Sequence, residues 1–304
     1  MVKLKNTIRL SLLATVILSS GLYSEEYYHG NEREFPQEGY AHAPEKESID
    51  ISHTLIQNMY ALKNKRKKVQ KSKNSGEEEN RFSSLIIMDS EKSEIEQGIV
   101  DSSSSAFKLT YNQDASNNSD MGALFSYRNT KYDKSSAKSE EFFLAPYYKY
   151  YKDITDNIDI ETVANLLVGT REFSGSTPSF DSYQSYGGGL TVIPGFYIGE
   201  RVMFNFPVGV QGMQRSASSG DDELQNFLNY GVSGELKIMS NWFINANFLK
   251  TKDLESDNNL EATYYVVQSN YYGEYWNFGL GYKTVEDVKN YTEDTVMLSI
   301  LYNW

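Results

Sequence analysis

From Phe107 to its end the chain places apolar residues at every second position, block after block. Phe107, Leu109 and Tyr111 fall on one face of an extended segment, and Met121, Ala123, Phe125 and Tyr127 on one face of the next. Side chains alternate sides along a strand, so this spacing predicts β-strands with one apolar face each. Phe142, Leu144, Tyr148 and Tyr150 continue the series, and Pro146 among them implies a bulge, because proline cannot give a ladder hydrogen bond. Ile158, Ile160, Thr162, Ala164, Leu166 and Val168 form the cleanest alternation, opposite Asp159, Glu161 and Asn165. Tyr186, Gly188, Leu190 and Val192 run into Pro194-Gly195, which reads as a tight turn. Val202, Phe204, Phe206, Val208 and Val210 return, followed by Leu228, Tyr230, Val232, Leu236 and Ile238, then by Trp242, Ile244, Ala246 and Phe248. Leu260, Ala262, Tyr264 and Val266 read as the next apolar face, and Trp276, Phe278, Leu280 and Tyr282 as the one after it. The last block is Val296, Leu298, Ile300, Tyr302 and Trp304, which brings the count to eleven strands.

The connections alternate in length. Those at 131–139, 170–181, 213–225, 251–258 and 284–291 are long and polar, whereas those at 152–156, 194–197, 239–241 and 268–271 are short. A soluble sandwich has no reason to keep such a rule, and a membrane barrel does, with short turns on the periplasmic side and long loops outside. The final block, an apolar face that stops on an aromatic, resembles the closing strand of bacterial outer-membrane β-barrels. That resemblance implies recognition of Val296, Leu298, Ile300, Tyr302 and Trp304 by the barrel-assembly machinery, although the family usually ends in Phe. Read alone, the same block also fits an edge strand of a soluble β-sandwich.

A periplasmic C-terminus makes the last strand run inward, and counting back leaves one upward strand missing before the block at 105–112. Phe82 to Asp89, F-S-S-L-I-I-M-D, supplies it in spite of poor alternation. The total is then twelve, an even number as single-chain bacterial barrels require. The 112–119 connection, N-Q-D-A-S-N-N-S, is long for an inner turn, so ten strands is the alternative. The fold class is all-β: an antiparallel up-and-down transmembrane barrel over 81–304, preceded by a helix.

Lys3, Lys5 and Arg9 followed by the apolar stretch Leu10 to Leu18 and small residues to Ser24 read as a cleaved secretory signal peptide over 1–24. The segment 25–80 reads as a flexible lead with a helix at 49–73, in which Ile51, Leu55, Met59 and Leu62 recur at helical spacing before a run of lysines from Lys63 to Lys73. At about 1.5 Å per residue such a helix would span roughly 37 Å, the height of a membrane barrel. It either threads the lumen or lies in the periplasm.

Composition narrows the chemistry. The chain has 304 residues, no cysteine, 24 tyrosines and a net charge of −12. A mean hydropathy of −0.54 does not exclude a barrel, whose lipid-facing and lumen-facing residues average out. Acidity argues against nucleic-acid partners. The three histidines, His29, His42 and His53, all precede the barrel, so no Ser-His or Asp-His pair is available within it and no His/Cys cluster can hold zinc. No catalytic residue, metal or cofactor is therefore expected. Alternation places Lys108, Arg128, Lys149, Arg201 and Lys237 with Asp159, Glu161, Glu235 and Glu261 on the inward faces, a nearly balanced lining.

Signal peptide, helix, about twelve strands and an aromatic end resemble the translocator domain of autotransporters over 49–304. The resemblance implies a twelve-stranded barrel with a helix in its lumen. The chain departs from that family in having only about 25 residues ahead of the helix after export, too few for a passenger domain. The expected protein is a non-enzymatic bacterial outer-membrane barrel in contact with the lipid bilayer, acting as a narrow pore or translocator-like channel. The alternatives are a structural or surface-adhesion barrel with a closed lumen and, last, an outer-membrane enzyme.

Overall fold

The computed structural model describes residues 83–303 except for short stretches at 98–99, 117, 133–135, 176–181, 200, 218–221, 255–260, 274 and 288–290. The expected signal peptide, lead and helix lie outside the described residues, as does Trp304. All regular structure within them is strand: β1 (Ser83–Gln97), β2 (Val100–Ser116), β3 (Ser119–Tyr132), β4 (Lys138–Thr155), β5 (Ile158–Ser174), β6 (Tyr183–Ile198), β7 (Val202–Asn205), β8 (Val208–Ala217), β9 (Asp222–Lys237), β10 (Trp242–Asp253), β11 (Glu261–Tyr272), β12 (Trp276–Asp287) and β13 (Tyr291–Asn303). Successive strands pair antiparallel, except that β7 and β8 both lie between β6 and β9, and β13 pairs with β1, so the sheet closes on itself.

β7 and β8 form one wall position. Both pair with β6 on one side and β9 on the other, and the register against β9 is continuous, with Asn205 opposite Ser233 and Val208 opposite Tyr230. The break falls at Phe206-Pro207. Gly231 N donates to Pro207 O at 3.0 Å, but proline has no N–H with which to return the bond. The wall therefore has twelve positions, in line with the even count.

Several local expectations change. Pro146 causes no bulge: β4 opens its ladder to β5 at Ala145-Pro146 and resumes in the same register, Leu144 opposite Val168 and Tyr147 opposite Asn165. Pro194-Gly195 is not a turn either. β6 runs through it to Ile198, because the missing donor of one residue is a small loss where both neighbouring strands continue the ladder. The segment 112–119 is almost all strand, and the turn between β2 and β3 is tight. β1 begins where the missing upward strand was expected and extends to Gln97. Its poor alternation has a cause: the register slips by one residue between Ile86 and Met88, with Leu85 opposite Tyr302 and Met88 opposite Ile300. An inserted residue shifts every later position to the other parity.

Outside, the barrel is apolar. Leu144, Leu166, Val168, Leu190, Val208, Val210, Leu280, Val296 and Leu298 all lie exposed on the outer wall. Aromatic residues edge this band at both ends. Tyr127, Phe142, Tyr186 and Tyr282 edge it near the long loops, and Tyr148, Tyr150, Phe196, Trp242 and Trp276 near the short turns. Several stack on one another, as Trp242 does on Tyr271 (5.3 Å between centroids) and Trp276 on Tyr302 (4.6 Å). On β4, Phe142 to Tyr150 spans about 27 Å at ~3.4 Å per residue, and a strand tilt of ~40° lowers this to about 21 Å of height. Paired aromatic girdles around a band of that height are what a bilayer interface selects.

The inward positions carry a contrasting set: charged side chains, many asparagines, and an apolar cluster on the wall that includes Leu124, Phe143, Leu167, Met213, Phe227 and Leu249. Two glycines make room for inward aromatics. Gly122 sits opposite Tyr147 and Gly169 opposite Phe143, and a Cβ at either would collide with the facing ring.

Candidate functional site

The lumen is the only continuous polar surface the wall encloses among the described residues, and the strand directions set the height of each group in it. At the short-turn end, Asp120 of β3, Asp159 and Glu161 of β5 and Glu235 of β9 are buried on the inner face. Tyrosines hold two of them. Tyr151 Oη donates to Asp120 Oδ2 at 2.7 Å, and Tyr197 Oη donates to Asp159 Oδ2 at 2.5 Å. Tyr147, which leans over Gly122, donates to Tyr111 O at 2.9 Å and lies 3.1 Å from Asn112 Oδ1. Asn112 is itself 3.5 Å from Asp120.

Halfway up stand Lys108 and Lys283, and Lys149 stands lower, at the level of Asp120; all three are buried on the inner face. Lys149 lies opposite Asp120 in the ladder, and its ammonium is 4.7 Å from the centroid of the Tyr147 ring, a cation–π distance.

At the long-loop end three arginines are pinned to the wall. Arg171 Nε is 2.7 Å from Glu141 Oε1, with both side chains almost wholly buried, and its Nη2 donates to Tyr132 Oη at 2.8 Å and Ser139 Oγ at 3.2 Å. Arg128 Nη2 meets Glu293 Oε1 at 3.1 Å across β1 and β2, and Thr295 Oγ1 donates to the same carboxylate at 3.2 Å. The inward residues of β2 beneath that span are Ser102, Ser104 and Ala106, small enough to let the guanidinium pass. Arg215 donates to Gln225 Oε1 at 3.3 Å and lies over the Tyr183 ring at 4.6 Å.

Of the residues expected on the inner face, Lys108, Arg128, Lys149, Asp159, Glu161 and Glu235 are buried there, and Lys237 is half-buried at the tip of β9. Two depart from the expectation. Arg201 is exposed in the turn between β6 and β7. Glu261 is on the outer wall, where it meets Lys250 at 3.1 Å and Lys252 at 3.6 Å. The cause is a change of face along β11, where Ala262, Tyr264 and Val266 point inward and Tyr265 and Val267 outward. The run T-Y-Y-V-V is apolar at both parities, so alternation does not choose between them, and a one-residue choice moves every side chain to the other side. Of the closing-strand set, Val296 and Leu298 are exposed on the outer wall and Ile300 and Tyr302 are partly so.

The sequence reading missed Asp120, Glu141, Arg171, Arg215, Asp253, Lys283 and Glu293. They were findable by carrying the parity of each apolar face onward: Arg171 shares the parity of Glu161 and Asn165 on β5. The apolar marks end at Val168, and the reading stopped with them. Among the described residues no group of three His, Asp or Glu side chains is placed to hold a metal ion.

No family model and no curated protein matches the sequence. Solved structures do match the fold. The translocator domain of the autotransporter NalP from Neisseria meningitidis aligns over 84% of this chain and 98% of its own, at 12% identity and a TM-score of 0.53. The β-domain of the Bordetella autotransporter BrkA aligns over 74% of this chain and 99% of its own, at 13% identity and TM-score 0.53. An outer-membrane channel from Pseudomonas putida F1 aligns over 74% and 95%, at 10% identity and TM-score 0.53. The fold is therefore that of an outer-membrane β-barrel of autotransporter type.

Proposed function

We propose that the protein is a non-enzymatic outer-membrane channel, a narrow pore for small solutes, exported through a cleaved signal peptide over 1–24. The observation that carries this reading is the contrast between the two faces of one closed wall. Leu166 is 64% and Leu280 61% exposed outside, while charged and amide side chains line the inside along the full strand length. The short turns then face the periplasm, and the closing strand presents Val296, Leu298, Ile300, Tyr302 and Trp304 to the assembly machinery. The histidines at 29, 42 and 53 leave the wall without an imidazole base, which supports a role other than catalysis.

A second reading, a surface protein with a shut lumen, is favoured by the arginine pairs at the loop end, which tie the wall to itself. Planar-bilayer recording separates the two. The full chain is expected to conduct, and deletion of 49–73 to raise the conductance, since a helix in the lumen would occlude it. A silent bilayer with protein shown to be folded would rule out the pore.

The bilayer reading has its own check. Leu280→Arg, at mid-height on the outer wall, is expected to destabilise the barrel by about 2–4 kcal/mol in lipid, the cost of a cation at the midplane. In a water-soluble barrel the same change would be nearly neutral. Urea unfolding midpoints in phospholipid vesicles measure it.

A further inference from the structure

Above the aromatic edge on β2 to β5, the outer wall carries its charges in rows. Lys131 of β3 stands directly opposite Lys138 of β4, flanked by Ser103 of β2 and Ser174 of β5. One step nearer the bilayer, Glu140 stands directly opposite Glu172, beside Asn129 and Ser105. Tyr127 and Phe142 form the next row, with ring centroids 4.8 Å apart, and Phe125, Leu144 and Val168 the one below. Each step is two residues, about 5 Å of height at a rise of ~3.4 Å per residue and a tilt of ~40°. Lys131, Lys138, Glu140 and Glu172 are all exposed.

In both charged rows like faces like. Side chains directly opposite in a sheet have Cβ atoms about 5 Å apart, where equal charges destabilise the pair. The glutamates do not relieve the lysines: among the described residues none of the four makes an ion pair. The outer-wall lysines of β10 behave otherwise, since Lys250 and Lys252 both close on Glu261. Two adjacent, exposed ammoniums without a carboxylate of their own call for an anion from outside, and the oxygens of one phosphate can bridge them.

The order of the rows selects the anion. Beneath the lysines lie carboxylates, which accept hydrogen bonds and donate none, then aromatic rings, then aliphatic surface with Leu144 49% and Val168 57% exposed. A matching molecule has phosphate outermost, a belt of N–H and O–H donors beneath it, and acyl chains below. An acylated, phosphorylated amino sugar has that order. A glycerophospholipid does not, because the ester groups between its phosphate and its chains are acceptors only.

We propose that this face of β3, β4 and β5 is a docking site for a phosphorylated glycolipid of the outer leaflet. Lys131 and Lys138 bind one phosphate, Glu140 and Glu172 accept hydrogen bonds from the amide and hydroxyl groups of the sugar, and Phe125, Leu144 and Val168 receive the acyl chains. The site does not depend on whether the lumen conducts. It rests on the orientation proposed above, with the long loops outside.

The test is native mass spectrometry of the folded full chain in detergent with deep-rough lipopolysaccharide, whose lipid is a bisphosphorylated, acylated diglucosamine. One lipid is expected to remain bound. Removing its phosphates enzymatically is expected to weaken binding about tenfold, as is Lys131→Gln with Lys138→Gln, the scale of losing a hydrogen bond to a charged group. Lys250→Gln with Lys252→Gln is expected to leave binding unchanged, and heat-modifiable mobility verifies that each variant is folded. Equal binding of the dephosphorylated lipid or of phosphatidylglycerol, or unchanged binding in the Lys131 and Lys138 variant, overturns the site. Glu140→Gln with Glu172→Gln decides the sugar contact: weaker binding sustains it, and tighter binding, the mark of lysines that attract any anion, overturns it. Orientation is read separately. The chain has no cysteine, so Ser136→Cys, exposed between β3 and β4, gives a single thiol. Labelling of intact cells by a membrane-impermeant maleimide sustains the outer-leaflet assignment, and labelling only after lysis overturns it even where the lipid binds in detergent.

Discussion

Deleting residues 301–304 is expected to abolish the folded, SDS-resistant band that shifts on boiling, with the protein recovered from cells only as degraded or aggregated chain. β13 is the seam of the barrel, hydrogen-bonded to β12 on one side and to β1 on the other. The deleted residues stand opposite Ser84, Leu85 and Ile86 of β1 and opposite Trp276 and Asn277 of β12. Their loss leaves backbone groups of two strands unpaired at the bilayer edge, and each costs several kcal/mol where no water can replace the partner. Closure and recognition by the assembly machinery are separated by refolding the purified chain in detergent. A truncated chain that refolds there but not in cells has lost a signal, and one that refolds nowhere has lost its seam. Unchanged mobility from cells would contradict both accounts.

Arg171→Met is expected to lower the stability of the folded barrel by about 3 kcal/mol, the lower end of the cost of stranding one member of a buried ion pair. Glu141 is left 0% exposed with its guanidinium gone, and Tyr132 and Ser139 lose the same donor. Adding Glu141→Gln to Arg171→Met is expected to restore most of the loss, because the expensive element is the unpaired carboxylate more than the absent attraction. Urea midpoints of the two single variants and the double variant give the coupling directly. Strictly additive effects would mean that water in the lumen already solvates both groups and that the pair contributes nothing.

How much could be read before the fold was known depended on what lay outside each strand. Where lipid is the neighbour, alternation is strict, as at Ile158 to Val168, and the strand and its face are both legible. Above the aromatic edge the outer neighbour is water or polar headgroup, apolar marks cease, and the ladder goes on regardless. β3, β5, β8 and β12 thus reach Tyr132, Ser174, Ala217 and Asp287, into segments that read as loops. Arg171 and Arg215 lie in these extensions, which is why they escaped notice, whereas Arg128, below the extension of β3, was legible. Prolines misled for a related reason: Pro146 reads as a bulge and Pro194 as a turn, but each removes only one donor from a ladder secured on both sides.

Alternation and connection length, both local properties, were enough to establish a closed all-β wall with an even number of positions and an apolar outside. A strand must hide its backbone and sort its side chains by twos wherever it runs, so those features are written along the chain. Three things required the tertiary structure. The face of β11 is chosen by its neighbours, because its own residues are apolar on both sides. The pairing of Arg128 with Glu293 depends on closure, which brings together residues 165 apart in the chain. The heights of the buried charges depend on strand direction and register, which set Asp120, Asp159, Glu161 and Glu235 at the short-turn end and Arg128, Arg171 and Arg215 at the long-loop end.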